Sequence, residues 1–478
     1  MRSVQDVCAG LVAFALSALG LLAALPARAA DRTPISFPLA VERALAANPQ
    51  ALASRAEAEA ATAAVDAALG HALPSLGVEL SAARSNDPLS VFGYRLAEGR
   101  ATFADFGLGE YTGPGSVNTA PLALNAPGYA NNYDTGVVLR VPLFAGGRDA
   151  ARLRQARALA QAARAGDQAA RAALTYEVLQ TYAGVQAASA LVAAARQSLD
   201  AADADLNTAE SLFRQGMVVE SDVLLAKARR ETARAALSAA TAGARDQLEN
   251  FRTLLAAPDS ELEPGAPVAV SLPHGTLAEL QNRALTANPQ LQALAQQANA
   301  GRAATDAASA GGWPRLDLTL RHDWNADSLA LRAPSNTVMA TVSWQLFSSG
   351  AQSASVRRAE AEALAAAERY NGAADDTRLA VARAWRAAAS AATTAQASAL
   401  AADQAAEAAR LLALRYAQGL ATLSQLQDSE ARRDAERAHS VESSYRALLA
   451  RAELRLLVNE LDPAKLATAP ASAPQSSP

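Results

Sequence analysis

Two periodicities alternate along this chain of 478 residues. Stretches 39–69 and 276–310 are Ala-rich, free of proline beyond Pro49 and Pro289, and carry apolar positions at helical spacing. After each comes a short run in which apolar and polar residues alternate one for one. The clearest is Leu316-Asp317-Leu318-Thr319-Leu320-Arg321-His322-Asp323-Trp324; stretch 338–346 alternates too, and 76–82 and 135–143 are weaker equivalents. Such alternation predicts strands with one apolar and one polar face, at about 76–84, 134–144, 315–324 and 337–347. Proline-free stretches then predict two very long helices, 148–213 and 351–416, each on the order of 100 Å at about 1.5 Å per residue. Gln215-Gly216-Met217 and Gln418-Gly419-Leu420 read as turns, and return helices follow over 221–256 and 424–459.

The pattern is written twice. Ala47-Asn48-Pro49-Gln50 recurs as Ala287-Asn288-Pro289-Gln290, and Leu73-Pro74-Ser75-Leu76 as Trp313-Pro314-Arg315-Leu316. Pro142-Leu143-Phe144-Ala145-Gly146-Gly147 answers Gln345-Leu346-Phe347-Ser348-Ser349-Gly350. Arg214-Gln215-Gly216 answers Ala417-Gln418-Gly419, and Ala228-Arg229-Arg230 answers Ala431-Arg432-Arg433. The register slips between the second and third matches, so the first copy holds extra residues in its strand connection. The expected organisation is a first repeat over 30–262, with a long loop at 85–133, and a second over 263–461.

Composition sharpens this picture. Alanine is about a quarter of the chain and aromatics only 5%, which suits long helices with closely approaching backbones. Net charge is −4, so no basic footprint for nucleic acid is present. Lysine occurs only at Lys227 and Lys465, and no glycine-rich run ends in a P-loop lysine. The single cysteine, Cys8, excludes a disulfide scaffold.

At the amino end, Arg2 precedes an apolar run over 7–25 that closes on Pro26-Ala27-Arg28-Ala29-Ala30. The small residues at Ala27 and Ala29 fit a signal peptide over 1–29; a membrane anchor is the competing reading, and the lack of a basic stop favours cleavage. Stretch 462–478, made of Ala, Pro and Ser, reads as a disordered tail. An exported chain with half-apolar strands points to a membrane barrel, because only helices and closed barrels satisfy the backbone in lipid. Single-chain barrels need roughly eight strands, so four strands must be shared among copies, and three chains would supply about twelve. A soluble periplasmic coiled-coil scaffold is the alternative of a different class.

At this point the chain resembles the TolC-like outer-membrane efflux proteins, the outer membrane factors of tripartite efflux and type I secretion systems. The resemblance covers 37–461. It rests on the twice-made order of helix, strand, strand, long helix, Gly turn and return helix, and on local signatures. These are Leu39-Ala40-x-x-Arg43-Ala44-Leu45-x-x-Asn48-Pro49, the Pro-Leu-Phe-x-Gly-Gly run at 142–147, and the Gly216 and Gly419 turns. It implies a mainly α fold with a membrane β portion: a homotrimer whose twelve-stranded β-barrel continues into a coaxial α-helical barrel. It also implies an exit duct in the outer membrane, with the helical barrel in the periplasm. Its partners would be a periplasmic adaptor (membrane fusion protein) and an inner-membrane transporter. A protein-secretion duct of the same fold is the nearest alternative function.

No nucleophile elbow, zinc-protease or dinucleotide motif appears, so neither an enzyme nor a cofactor is expected. His71, His274, His322 and His439 are scattered, without a second ligand at helical spacing, which argues against a metal site. His322 falls in the apolar phase of a strand, as expected near a membrane interface; Trp324 and Trp344 suit an aromatic belt, and Trp344 suits simple lipid-facing bulk equally well. Asp203/Asp205 and Asp375-Asp376 read as solvated helix faces. The resemblance places the functional residues at the periplasmic tip. Ser221 and Asp222 match polar bridging positions and Tyr416 the aromatic partner, so an Asp222–Tyr416 hydrogen bond would latch the pore, at about 1.5–3 kcal/mol. Where the family has a bridging arginine this chain has Ala421. The inward acidic rings fall at Gln425 and Asp428, of which only the latter is acidic. Gly216, Met217, Val218, Gly419 and Leu420 would form the tips that dock the adaptor.

Overall fold

The computed structural model describes residues 33–468; the expected signal peptide and the tail beyond Thr468 lie outside the described residues. In chain order the elements are β1 (Thr33–Ile35), α1 (Phe37–Ala47), α2 (Pro49–Gly70), β2 (Ser75–Ser85), α3 (Pro88–Ala97), β3 (Ala130–Phe144), α4 (Arg148–Arg214), α5 (Glu220–Leu254), β4 (Leu262–Pro264), β5 (Val268–Ala269), α6 (Leu277–Ala287), α7 (Pro289–Ser309), β6 (Arg315–Ala326), β7 (Pro334–Ser343), α8 (Ala351–Ala417), α9 (Leu423–Leu457) and β8 (Ala467–Thr468). Both long helices run 67 residues without interruption. They fold into two compact units. One takes in the chain up to Leu52, Ala170–Ala284 and the chain from Thr377; the other is Ala53–Ala169 with Leu285–Asp376.

Three readings of the pattern need correction. Each opening helix is two helices, because a proline restricts the residue before it to extended backbone. Asn48 sits at φ −67°, ψ 128° and Asn288 at φ −67°, ψ 117°. Each Asn Oδ1 then accepts the N–H of the following Gln, 2.9 Å from Gln50 or Gln290, and caps the next helix. Second, the run after Leu461 is not wholly unstructured: a turn of 3-10 helix at Pro463–Lys465 leads into β8, which pairs antiparallel with β5. Third, the last expected strand starts three residues earlier, at Pro334, and stops at Ser343.

In the second unit the four long strands form one antiparallel sheet in the order β2-β3-β6-β7. The register places Leu80 opposite Thr135, Val141 opposite Leu318, and Leu318 opposite Ala340. One face therefore carries Leu76, Val78, Leu80, Val137, Leu139, Leu318, Leu320, Val338 and Val342. Period-two alternation sends Glu79, Asp134, Arg140, Arg321 and Asp323 to the other. There Arg321 bonds Glu79 at 2.8 Å, Asp134 at 2.7 Å and also Asp323, while Arg140 reaches Glu79 at 2.6 Å. His322 and Trp324 lie on the apolar face, edge to face at 4.2 Å, with the His322 ring 2.6 Å from the Asn336 amide oxygen.

The connection between β2 and β3 is folded. Asp87 caps α3 through the Ser90 N–H at 2.9 Å, Phe92 and Phe106 stack edge to face at 4.8 Å, and the Glu110 carboxylate accepts the N–H groups of Leu122 and Ala123, both at 2.8 Å.

In the first unit, the repeat is visible as two equivalent cores. Ala40, Ala44, Val178, Phe251 and Leu255 are buried in one; Leu280, Ala284, Val381, Leu454 and Val458 occupy the matching positions of the other. Copy one adds Phe37 and Tyr182. Tyr182 sits edge to face with Phe37 at 5.7 Å and with Phe251 at 5.8 Å, and its hydroxyl donates to the carbonyl oxygens of Ala266 (3.0 Å) and Ile35 (3.2 Å). Because Phe251 is fully buried, Phe251→Ala should destabilise the protein by ~3–5 kcal/mol. Unfolding in detergent followed by circular dichroism checks this, and a loss under ~1 kcal/mol would mean that the cluster closes over the void.

Candidate functional site

The two Gly turns of the first unit are alike in backbone. Gly216 and Gly419 adopt φ 71° and 73°, the left-handed conformation that ends a helix cheaply only for glycine. Met217 N–H then reaches back to Leu212 O at 2.9 Å, and Leu420 N–H to Arg415 O at 2.8 Å. The return helices start differently. Thr422 and Gln425 form a reciprocal capping box on α9, at 3.1 and 3.2 Å, whereas Val219 offers α5 no side-chain cap.

Between the turns, Ala209, Leu212, Val223, Ala226, Tyr416, Leu423 and Leu426 pack into one cluster, with Val218 and Ala421 at its edge. Met217, Val219, Leu224, Leu225 and Leu420 are exposed around it. Tyr416 and Asp222 thus come together, but no hydrogen bond joins them. The Tyr416 hydroxyl is buried without a partner in its own protomer. Burial foremost, then the charges of Asp222 and Asp205, push its pKa up. Of the remaining expected gate positions, Ser221 and Asp428 are exposed. Gln425 is exposed too, and its side-chain oxygen is occupied by the cap at Thr422. Val218 is half-buried rather than free.

A charged layer lies behind the cluster, and sequence reasoning missed it. Glu430, only 3% exposed, takes Arg229 at 3.1 Å and Arg433 at 3.4 Å; Asp434 takes Arg229 at 3.4 Å, Arg433 at 2.9 Å and the Ser198 hydroxyl at 2.6 Å. Asp205 is 9% exposed, not on a solvated face as expected. Asp203, which pairs with Arg230 at 2.6 Å, and Asp375 and Asp376, both exposed, match that expectation. Burial first, then the Glu430 carboxylate beside it, raise the Asp205 pKa to about 7, with Arg229 and Arg433 pulling the other way. The signal was in the spacing: Ala202, Asp205, Ala209 and Leu212 form one i, i+3, i+7, i+10 stripe, and three of the four are apolar.

The described residues present half-finished surfaces. The sheet has two unpaired edges, β2 and β7, which a barrel must pair with other strands. The model of the family described as outer membrane efflux protein matches residues 40–257 and again 280–460. The chain belongs to that family. The family model matches twice, and the outer membrane efflux protein is accordingly a twofold-repeated chain whose fold is the trimeric family fold. Solved structures agree. A membrane protein from Pseudomonas aeruginosa superposes with a TM-score of 0.74 at 20% identity, covering 88% of this chain and 93% of that one. The outer membrane protein VceC of Vibrio cholerae gives 0.72 at 19%, covering 89% and 97%. The open-state MtrE outer membrane channel of Neisseria gonorrhoeae gives 0.71 at 18%, covering 89% of each. No curated protein matches the sequence. The efflux protein is an outer-membrane exit duct, and three four-stranded sheets make its twelve-stranded barrel.

Two predictions follow from these surfaces. For Asp205 the folded pKa lies above the ordinary 3.8, so the folded protein holds a proton that the unfolded chain releases. The stability this contributes is complete below about pH 4 and lost as pH rises through about 7. Asp205→Asn should flatten the fall of the thermal midpoint between about pH 4 and about pH 7; an unchanged slope would show that Asp205 is ionised throughout. On the sheet, Leu318→Arg puts a charge on the apolar face and should cost membrane assembly ~2–4 kcal/mol if it lies near the midplane. Wild-type amounts of heat-modifiable trimer in outer membranes would place Leu318 away from lipid.

Proposed function

We propose that the duct opens and closes at the Gly216 and Gly419 turns, and that this end receives cargo from an inner-membrane transporter through a periplasmic adaptor. The observation that carries the reading is the pairing of two features at the same turns. An apolar rim of Met217, Val219, Leu224, Leu225 and Leu420 stands exposed, and just inside it the Tyr416 hydroxyl is buried with nothing to bond.

The rim is the kind of surface that soluble proteins keep covered, and it suits the apolar end of an adaptor hairpin. The hydroxyl bears on the latch. Leaving a buried donor unsatisfied costs about 1–3 kcal/mol, which favours any rearrangement of the tip that hands Tyr416 an acceptor. Asp222 heads the carboxylates that act on it. Closure would draw the Asp222 carboxylate onto the Tyr416 hydroxyl. With Ala421 where the family's arginine would add a second bond, that single bond would hold the latch. Ser221 lies one residue from Asp222 on the same turn of α5. Asp428 is exposed on α9, where three copies about the pore axis would repel one another, attract cations and disfavour anions.

Planar-bilayer recording tests the latch. Tyr416→Phe should raise open probability while leaving the amount of assembled trimer unchanged. Equal open probability in the variant and the wild type would remove this bond from gating.

A further inference from the structure

At the end of the sheet where β2 and β6 finish and β3 and β7 begin, two apolar surfaces stand open. The folded 85–133 connection forms an open hollow of about 490 Å³ lined by Phe103, Phe106, Leu108, Tyr111, Val117 and Pro121, and Phe103 itself is 80% exposed. The turn between β6 and β7 carries Leu329 and Leu331, 80% and 66% exposed. Within one protomer an ion pair ties the two on the near side. Arg100 from the connection pairs with Asp327, the first residue after β6. The leucines come later in the turn, toward β7.

Strand order says what lies on the far side. β7 is one free edge and β2 the other, and every pairing within the sheet is antiparallel. Closing the twelve-stranded barrel in the same sense sets β7 of one protomer against β2 of the next. The antiparallel rule then puts the start of β7, at Pro334, beside the end of β2, at Ser85. The residues just before Pro334 are the turn with Leu329 and Leu331; those just after Ser85 are the connection with the hollow. The turn therefore stands between two copies of the connection, its own on the β6 side and its neighbour's on the β7 side.

We propose that Leu329 and Leu331 of each protomer insert into the aromatic hollow of the next protomer's 85–133 connection, forming a clasp that continues the strand seam beyond the barrel end. The occupant of the hollow is thus a second copy of this chain. Two exposed apolar surfaces cover each other, and a folded insertion present in only one repeat gains a reason to be folded. Because heterologous contacts of this kind close into a ring when the rotation closes, three clasps complete the trimer.

Disulfide trapping tests this on the full chain in outer membranes. Cys8 is the only native cysteine and lies in the expected leader. Val117→Cys combined with Leu331→Cys, and separately Phe103→Cys with Leu329→Cys, should yield covalent dimers and trimers on oxidation, whereas each single variant should not. A disulfide formed only within monomers, or none in samples that light scattering shows to be trimeric, would overturn the clasp. As a second measurement, Leu329→Asp with Leu331→Asp should lower the temperature at which trimers dissociate in detergent by several degrees. An unchanged temperature would also overturn it. Bilayer conductance of the same samples keeps the two readings apart, since the clasp can fail while the channel and its Tyr416 latch remain intact.

Discussion

Every strand edge in lipid must find a partner, and this constraint shapes the whole chain. The sheet β2-β3-β6-β7 has four strands and two open edges, too few to curl closed on themselves. The apolar face built by Leu76, Val78, Leu80, Leu318, Leu320, Val338 and Val342 commits the sheet to lipid; the opposite face, with Arg321 holding Glu79, Asp134 and Asp323, commits it to water. A sheet with one face of each kind and no closed edges needs copies of itself. The trimer is the way this chain satisfies its backbone.

The repeat supplies that sheet economically. Each copy contributes one hairpin's worth of strand and a helix pair, and the equivalent cores around Val178 and Val381 show the copies folding by the same packing. They differ where side-chain size differs. Phe37, Tyr182 and Phe251 make an aromatic stack in the first copy, while Leu454 stands at the Phe251 position of the second. Tyr182 also bridges the carbonyls of Ile35 and Ala266, so it anchors the β1–β4 region as well as the core.

The tip shows a different balance. Its helices are alanine-rich, and among them the chain buries Asp205 and Glu430 with Arg229 and Arg433 beside them. Glu430 and Asp434 each hold both arginines, so removing Arg229 and Arg433 together would strand a buried carboxylate, whereas the group as a whole contributes little beyond the cost of desolvating it. The cluster ties the three helices together just behind the turns: Ser198 on α4, Arg229 on α5, and Glu430 and Asp434 on α9 are joined through it.

Periodicity by itself determined the two repeats, the four strands, the uninterrupted long helices and the Gly turns, because each depends on local spacing and on backbone rules that no distant contact overrides. Proline and asparagine at 48–49 and 288–289 encode the helix breaks by an equally local rule, which the helical periodicity on either side of them masked. The composition of the 85–133 connection, rich in Gly, Pro and Asn, gave no hint that Phe92, Phe106 and Glu110 would fold it. At the tip the sequence indicated Tyr416 and Asp222 through resemblance, and the Ala202-Asp205-Ala209-Leu212 stripe held the mark of a buried carboxylate. Only tertiary structure decided that Glu430, Arg229 and Arg433 gather around Asp205, that Gln425 is spent on capping α9, and that Tyr416 ends without a partner. Those outcomes depend on which faces of helices distant in sequence meet, and an alanine seam looks the same from the sequence whichever neighbour it meets.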